Sequence, residues 1–256
     1  AKFTIYKHEP NNEHSLAHNF VRTVFEDSKG HLLIGTYIGI QMYDPATDNF
    51  TPLAKLEDTG ETLESNINSF IERKNGEIWV SGNVLCKLDI KDHLLTVRKV
   101  DIAVTSPGSL FEDKKQNVWM AKGEEGVYQL TPDNQLTLHL SKDNGYVKSI
   151  CEDQRGNIYV GSIRKGLFIY DKERKTFVPV DLKEKGELPV CFLYSGPQNE
   201  LYIGTDGKGM SVYNNQTHEI SEYNFDNNYF DSKNSKIHSI LKDNSGNLWL
   251  AVYQKG

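Results

Sequence analysis

The chain has 256 residues, is 38% hydrophobic and 11% aromatic, and carries a formal net charge of −6. It has no Lys/Arg block, which argues against a nucleic-acid backbone as a partner of this segment. No apolar run approaches the roughly 20 residues of a membrane span, so any contact with a membrane is expected through a span outside this segment. A secretory leader is not visible at Ala1, and a mature or trimmed secreted domain would look the same.

In chain order, the first segment, Phe3-Thr4-Ile5-Tyr6 within 1–8, reads as an outer strand of a preceding sheet. A pattern then begins that returns about six times: an apolar strand, a D-x-x-G turn, an aromatic strand, a second glycine and an apolar strand. Its first copy runs Val24-Phe25-Glu26-Asp27-Ser28-Lys29-Gly30-His31-Leu32-Leu33-Ile34-Gly35-Thr36, then Gly39 and Tyr43-Asp44. Leu33, Trp79, Trp119, Tyr159, Tyr202 and Trp249 hold the anchor position, spaced 46, 40, 40, 43 and 47 residues apart. A period of this size means an array of supersecondary units, with spacing differences absorbed by loops. Four short antiparallel strands fit each period, so the predicted fold is an all-β β-propeller of four-stranded antiparallel blades. The blades fall at about 20–54, 66–100, 107–140, 146–181, 189–225 and 236–256. The last of these lacks outer strands, so 1–256 is expected to be part of a longer array.

Within a repeat each residue type has a local reason. Asp27, Asp113, Asp153 and Asp243 can accept backbone amides just ahead of them, and Gly30, Gly76, Gly156 and Gly246 supply the positive φ that closes a tight turn. In the third copy Asn117 is expected to take that left-handed role. After the anchor comes a small residue (Gly35, Ser81, Ala121, Gly161, Gly204, Ala251), expected to admit the backbone of a neighbouring sheet. Outer strands are expected at Phe50–Leu53, Leu94–Val97, Leu136–His139 and Phe177–Val180, with Pro52 and Pro179 tolerated on an unpaired edge. Cys86, Cys151 and Cys191 form no C-x-x-C pair and read as small buried hydrophobes, with a Cys151–Cys191 bridge left open.

The pattern of Ser15-Leu16, Asn19, Val21, Glu26-Asp27, Gly30, Ile34-Gly35-Thr36, Gly39-Ile40 and Tyr43-Asp44 resembles the two-component-regulator propeller repeat, and the blade at 147–171 matches it as well. That repeat belongs to the periplasmic sensor region of hybrid two-component histidine kinases from Bacteroidetes. The resemblance covers essentially the whole chain. Copy three departs from it, with Ala121-Lys122 for Gly-Thr, and copy five replaces the turn by Ser195-Gly196-Pro197-Gln198-Asn199. The resemblance implies a periplasmic location, a parent histidine kinase, a homodimeric full-length receptor and an oligosaccharide ligand that controls glycan-utilisation genes. It implies no enzymatic activity for this segment. Family binding residues lie outside the repeat motif, so none transfers by position.

Strand order supplies candidates instead. If the D-x-x-G hairpins lie at one end of the strands, the lead-in to each inner strand and the turn between its second and third strands share the other end. There the sequence places Tyr37 and Ile38, Glu124 and Glu125, Arg164 and Lys165, Asp206 and Lys208, and Tyr253, Gln254 and Lys255, with His14, Tyr146 and Asn227-Asn228-Tyr229-Phe230 in the lead-ins. Aromatic planes beside polar and charged groups suit sugars, whose apolar ring faces are edged by hydroxyls. Tyr37, Arg164, Lys165, Asp206, Lys208 and Tyr253 are therefore the candidate ligand-binding residues. No catalytic, cofactor or metal residues are assigned. Glu124 and Glu125 are adjacent rather than set to flank one bond, the repeated aspartates recur because the turn recurs, and the histidines show no clustered ligand spacing. The alternatives are a secreted propeller hydrolase or lyase acting on glycans and a protein-binding scaffold of the WD-repeat type. The aspartate and glycine of the sialidase Asp-box are one residue apart rather than two, and the Gly-His and Trp-Asp signatures of WD repeats are missing.

Overall fold

The computed structural model describes residues 4–140, 145–182, 188–223, 225, 234–242 and 245–253, and all of these are strand, turn or coil. The protein is an all-β propeller, as the repeat predicts. Phe3, Asn227–Phe230, Asp243, Asn244, Gln254 and Lys255 lie outside the described residues. No helix is long and apolar enough to cross a membrane among the described residues. The chain forms two compact units, Ala1–Leu110 and Phe111–Gly256.

In the first unit, β1 (Val21–Glu26), β2 (Leu32–Thr36), β3 (Ile40–Asp44) and β4 (Asn49–Phe50) make a four-stranded sheet in sequence order. The next sheet is built from β5 (Lys55–Leu56), β6 (Ser69–Glu72), β7 (Ile78–Ser81), β8 (Leu85–Lys91) and β9 (Leu94–Lys99) in the order β5-β9-β8-β7-β6. Leu33, Ile40, Met42, Ile67, Phe70, Val80, Leu88 and Val97 belong to one continuous buried cluster in this unit.

Two sequence expectations fail here. The outer strand expected at Phe50–Leu53 ends at Phe50, because Pro52 has no N–H to continue a ladder. The chain then crosses to the next sheet, where β5 runs parallel to β9 and pairs Lys55 with Thr96 and Leu56 with Val97, so the edge at β9 is covered rather than open. The strand expected within 1–8 is absent from the described residues 4–8. Its residues are held through other contacts. The Tyr6 ring meets Tyr43 and Phe50 edge-on, its hydroxyl donates to Asp48 at 2.6 Å, and the His8 amide donates to the side chain of Asn19.

The second unit contains three further four-stranded antiparallel sheets. They are β10–β13 (Leu110–Glu112, Val118–Lys122, Gly126–Leu130, Leu136–Leu140), β14–β17 (Val147–Glu152, Ile158–Ser162, Gly166–Asp171, Thr176–Pro179) and β18–β21 (Val190–Ser195, Glu200–Thr205, Met210–Asn214, Glu219–Glu222). A two-stranded sheet, β22 (Ile237–Lys242) with β23 (Leu248–Val252), follows. The anchors Trp119, Tyr159 and Tyr202 are buried, whereas Trp249 in the two-stranded sheet is 63% exposed.

The hairpin chemistry is as the residues dictate. Asp27 Oδ1 accepts the amides of Lys29 and His31, the Gly30 amide donates to the Asp27 carbonyl, and Gly30 sits at φ +84. Asp113 and Asp153 repeat this, each also taking the side-chain amide of the residue four positions on, Asn117 or Asn157, at 2.8 Å. These three aspartates thus serve the turns. One detail is corrected: the positive φ of the third hairpin belongs to Gln116 (φ +66), which holds the fourth position of the turn as Gly30 and Gly156 do. Gly156 has φ +81, so Gly156→Val is expected to lower the unfolding free energy by about 1–3 kcal/mol through backbone strain, read by urea denaturation.

The small residue after the anchor has a different neighbour from the one expected. An ideal Cβ on Gly35 would lie 2.6 Å from Ile67 Cγ2, one on Gly161 would overlap Val190 Cγ1, and one on Gly204 would lie 3.0 Å from Ile237 Cγ2. The glycine thus makes room mainly for the β-branched side chain that leads into the next inner strand, and at Gly204 also for the Ile237 carbonyl. Cys86, Cys151 and Cys191 are buried and free, so the open Cys151–Cys191 bridge is not formed. Burial pushes the Cys86 thiol up to about 11 and raises the other two as well, which leaves them inert as nucleophiles.

Candidate functional site

The turn between strands two and three is fixed from beneath by a buried hydroxyl. Thr36 Oγ1 accepts the amides of Ile38 and Gly39, Ser162 Oγ those of Arg164 and Lys165, and Thr205 Oγ1 that of Lys208. A small hydroxyl side chain can satisfy a tip's amides without occupying the space outside it. The candidates Tyr37, Arg164, Lys165 and Lys208 are therefore carried on rigid turns.

Each tip is also tied to the lead-in of its own inner strand. The amides of Tyr37, Ile163, Asp206 and Tyr253 donate to the carbonyls of Phe20, Tyr146, Pro189 and Lys236. Tips and lead-ins thus share one end of the strands within each unit. Consecutive sheets are joined there too, through the Ile67 amide to the Thr36 carbonyl, Val147 to Gly123 and Gly209 to Ser235.

Side chains gather on the tips of each unit. In the first, Tyr37 is 55% exposed and its ring lies 5.8 Å from His18 and 6.4 Å, edge-on, from Phe20. In the second, Arg164 pairs with Glu124 at 2.9 Å, and Glu125 pairs with Lys122. Asp206 pairs with Lys236 at 2.9 Å, the Lys236 ammonium stands 5.8 Å from the centre of the Tyr253 ring, and Tyr253 stacks on His238 at 5.7 Å. His14 is not at this end of the strands. Its carbonyl and imidazole bond Phe50 along the outer strand β4, because the segment before it runs beside that edge.

Lys148, Lys236 and His238 were missed from sequence. Four inner strands have a bulge at their second residue, between Val21 and Thr23, Val147 and Ser149, Val190 and Phe192, and Ile237 and Ser239, whereas β6 pairs with β7 without one. A bulge re-aims the skipped side chain, here Arg22, Lys148, Cys191 and His238. Arg22 reaches Asn68 Oδ1 at 3.0 Å. In the sequence each of the four is only a polar or thiol side chain in an otherwise apolar strand, and its direction is set by the register. Burial lowers the His238 pKa, Lys148 and Lys236 push it the same way, and Asp206 opposes them. The Asp206 partner in turn raises the Lys236 pKa. A separate groove of about 900 Å³ in the first unit is lined by His8, Gln41, Leu53, His93 and Leu95 among others. None of these was a sequence candidate. Among the described residues no group of three His, Cys, Asp or Glu side chains could hold a metal ion.

Comparison with known proteins places the repeat in a family. The two component regulator propeller model matches residues 15–37, 141–164 and 231–254. The first two matches end on a turn tip, at Tyr37 and Arg164. The chain carries the two component regulator propeller repeat. No curated protein sequence matches it. Among solved structures it is similar to the extracellular domain of a hybrid two component system from B. thetaiotaomicron (TM-score 0.72, 18% identity, covering 95% of this chain and 35% of that one). A second such domain from the same organism gives a TM-score of 0.52 at 18% identity, covering 98% and 39%. Virginiamycin B lyase from Staphylococcus aureus gives 0.70 at 13% identity, covering 93% and 80%. These likenesses establish the propeller fold. The chain spans little more than a third of the length of the two-component domains it matches.

Proposed function

We propose that the chain is part of the extracytoplasmic, periplasmic ligand-sensing propeller of a hybrid two-component receptor, and that it detects an oligosaccharide and controls glycan-utilisation genes. The observation that carries this reading is the regulator-propeller repeat, matched three times along the chain. The aromatic and charged tips support the ligand class, because exposed rings beside ionic and amide groups suit sugar faces and hydroxyls. In this reading the parent protein is a histidine kinase that works as a homodimer and spans the membrane outside this segment. Ligand shifts its signalling equilibrium by binding one arrangement of the sensor better than the other. The segment itself binds without reacting.

The test is glycan-induced transcription in the full-length receptor. Alanine at Tyr37, Arg164, Lys208 and Tyr253 together is expected to abolish induction while leaving folding and membrane insertion intact. Alanine at Lys29 and Arg155, on the hairpins at the other end of the strands, should leave induction unchanged. Normal induction by the first variant would contradict the assignment of the site.

A further inference from the structure

One rim of the second unit carries the cationic Lys148 and Lys236 beside the imidazole of His238, in a chain whose formal net charge is −6. The bulges of β14 and β22 re-aim Lys148 and His238, and Lys236 immediately precedes β22. The residue bridge between Asp206 and Lys236 and the Tyr253 amide bond to the Lys236 carbonyl hold the tips of two successive sheets against this rim. Among the described residues, the charged groups acting on His238 are the cationic Lys148 and Lys236 and the anionic Asp206. Tyr253, 55% exposed and stacked on His238, adds a ring surface beside the cations.

We propose that the saccharide bound by the second unit is acidic, with a uronic-acid carboxylate held by Lys148, Lys236 and His238 and the sugar ring lying on Tyr253. The inference rests on the sensing reading for its ligand class but adds the charge. Among the described groups Asp206 is paired with Lys236, so a carboxylate balances Lys148, and ammonium and imidazole donors bind carboxylates by short charge-assisted hydrogen bonds. A pyranose ring placed beside them presents its apolar face to Tyr253, as recognition by a flat aromatic surface requires. Neutral sugars would gain the stacking and lose the ionic contact.

Calorimetric titration of the full chain with trigalacturonate, with galactotriose as its neutral counterpart and with inorganic sulfate at matched ionic strength tests this. Trigalacturonate is expected to bind at least about tenfold more tightly than galactotriose and to weaken as salt is raised. Lys148→Gln and Lys236→Gln should each cut its affinity by about five- to tenfold. Lys148→Gln is the cleaner variant, because Lys236→Gln also frees Asp206. Tyr253→Ala should weaken both sugars together. Equal affinity for the two sugars, no binding of either, or unchanged affinity in Lys148→Gln would overturn the proposal. Sulfate competing as well as trigalacturonate would overturn its sugar component. A preference for trigalacturonate in a chain whose receptor shows no induction would leave this site standing and remove the sensing role, so the two failures are distinguishable.

Discussion

Trp119→Ala is expected to destabilise the protein by about 3–5 kcal/mol, the range for emptying a buried aromatic site, whereas Trp249→Ala at the same repeat position should cost less than about 0.5 kcal/mol, as exposed substitutions do. Trp119 is 1% exposed, its indole N–H donates to Asp113 at 2.8 Å, and His139, Tyr170 and Phe177 surround its ring. Removing it leaves a cavity and takes one of the bonds that hold the Asp113 carboxylate. Trp249 occupies the equivalent position in a sheet of two strands and is 63% exposed. Urea unfolding of both variants reads the difference. Equal losses would show that the repeat position, rather than the strands that cover it, sets the anchor's contribution.

Asp153→Ala should cost about 3–4 kcal/mol, because it strands several donors that together lose more than the roughly 1–3 kcal/mol of one unsatisfied buried group. Asp153 is 3% exposed and accepts the Arg155 and Asn157 amides and the side-chain amides of Asn157 and Asn215. Asn215 lies just beyond β20, so this carboxylate ties its hairpin to the neighbouring sheet as well as closing it. Asp153→Asn keeps one acceptor oxygen but turns an N–H₂ toward amide donors, and should fall between wild type and alanine. If Asp153→Ala unfolds at the wild-type urea concentration, the carboxylate is not what holds the turn.

The hairpins were legible in the sequence because their chemistry is local. Asp27 and Gly30, or Asp153 and Gly156, close a turn through backbone bonds within the five residues 27–31 or 153–157. The candidates on the tips were legible because strand order alone places Tyr37, Arg164 and Lys208 at one end. What escaped depends on partners distant in sequence. The crossing of Lys55–Leu56 to β9 follows from where Pro52 stops a ladder. The seating of Ile67, Val190 and Ile237 over Gly35, Gly161 and Gly204 follows from how successive sheets meet. The bulges that re-aim Lys148 and His238 exist only once a register is set, so a polar residue in an apolar strand gave no direction of its own. The left-handed position of the third hairpin is Gln116 rather than Asn117 because the fourth residue of each turn carries it, as Gly30 and Gly156 do.

The proposed function requires that this propeller bind a saccharide at its turn tips without cleaving it. Titrating the chain with oligosaccharides, acidic and neutral, while assaying new reducing ends measures both halves at once. Saturable binding that Tyr37→Ala and Tyr253→Ala weaken is expected, with no reducing ends released. Reducing ends appearing in proportion to protein, or no binding of any saccharide, would contradict it.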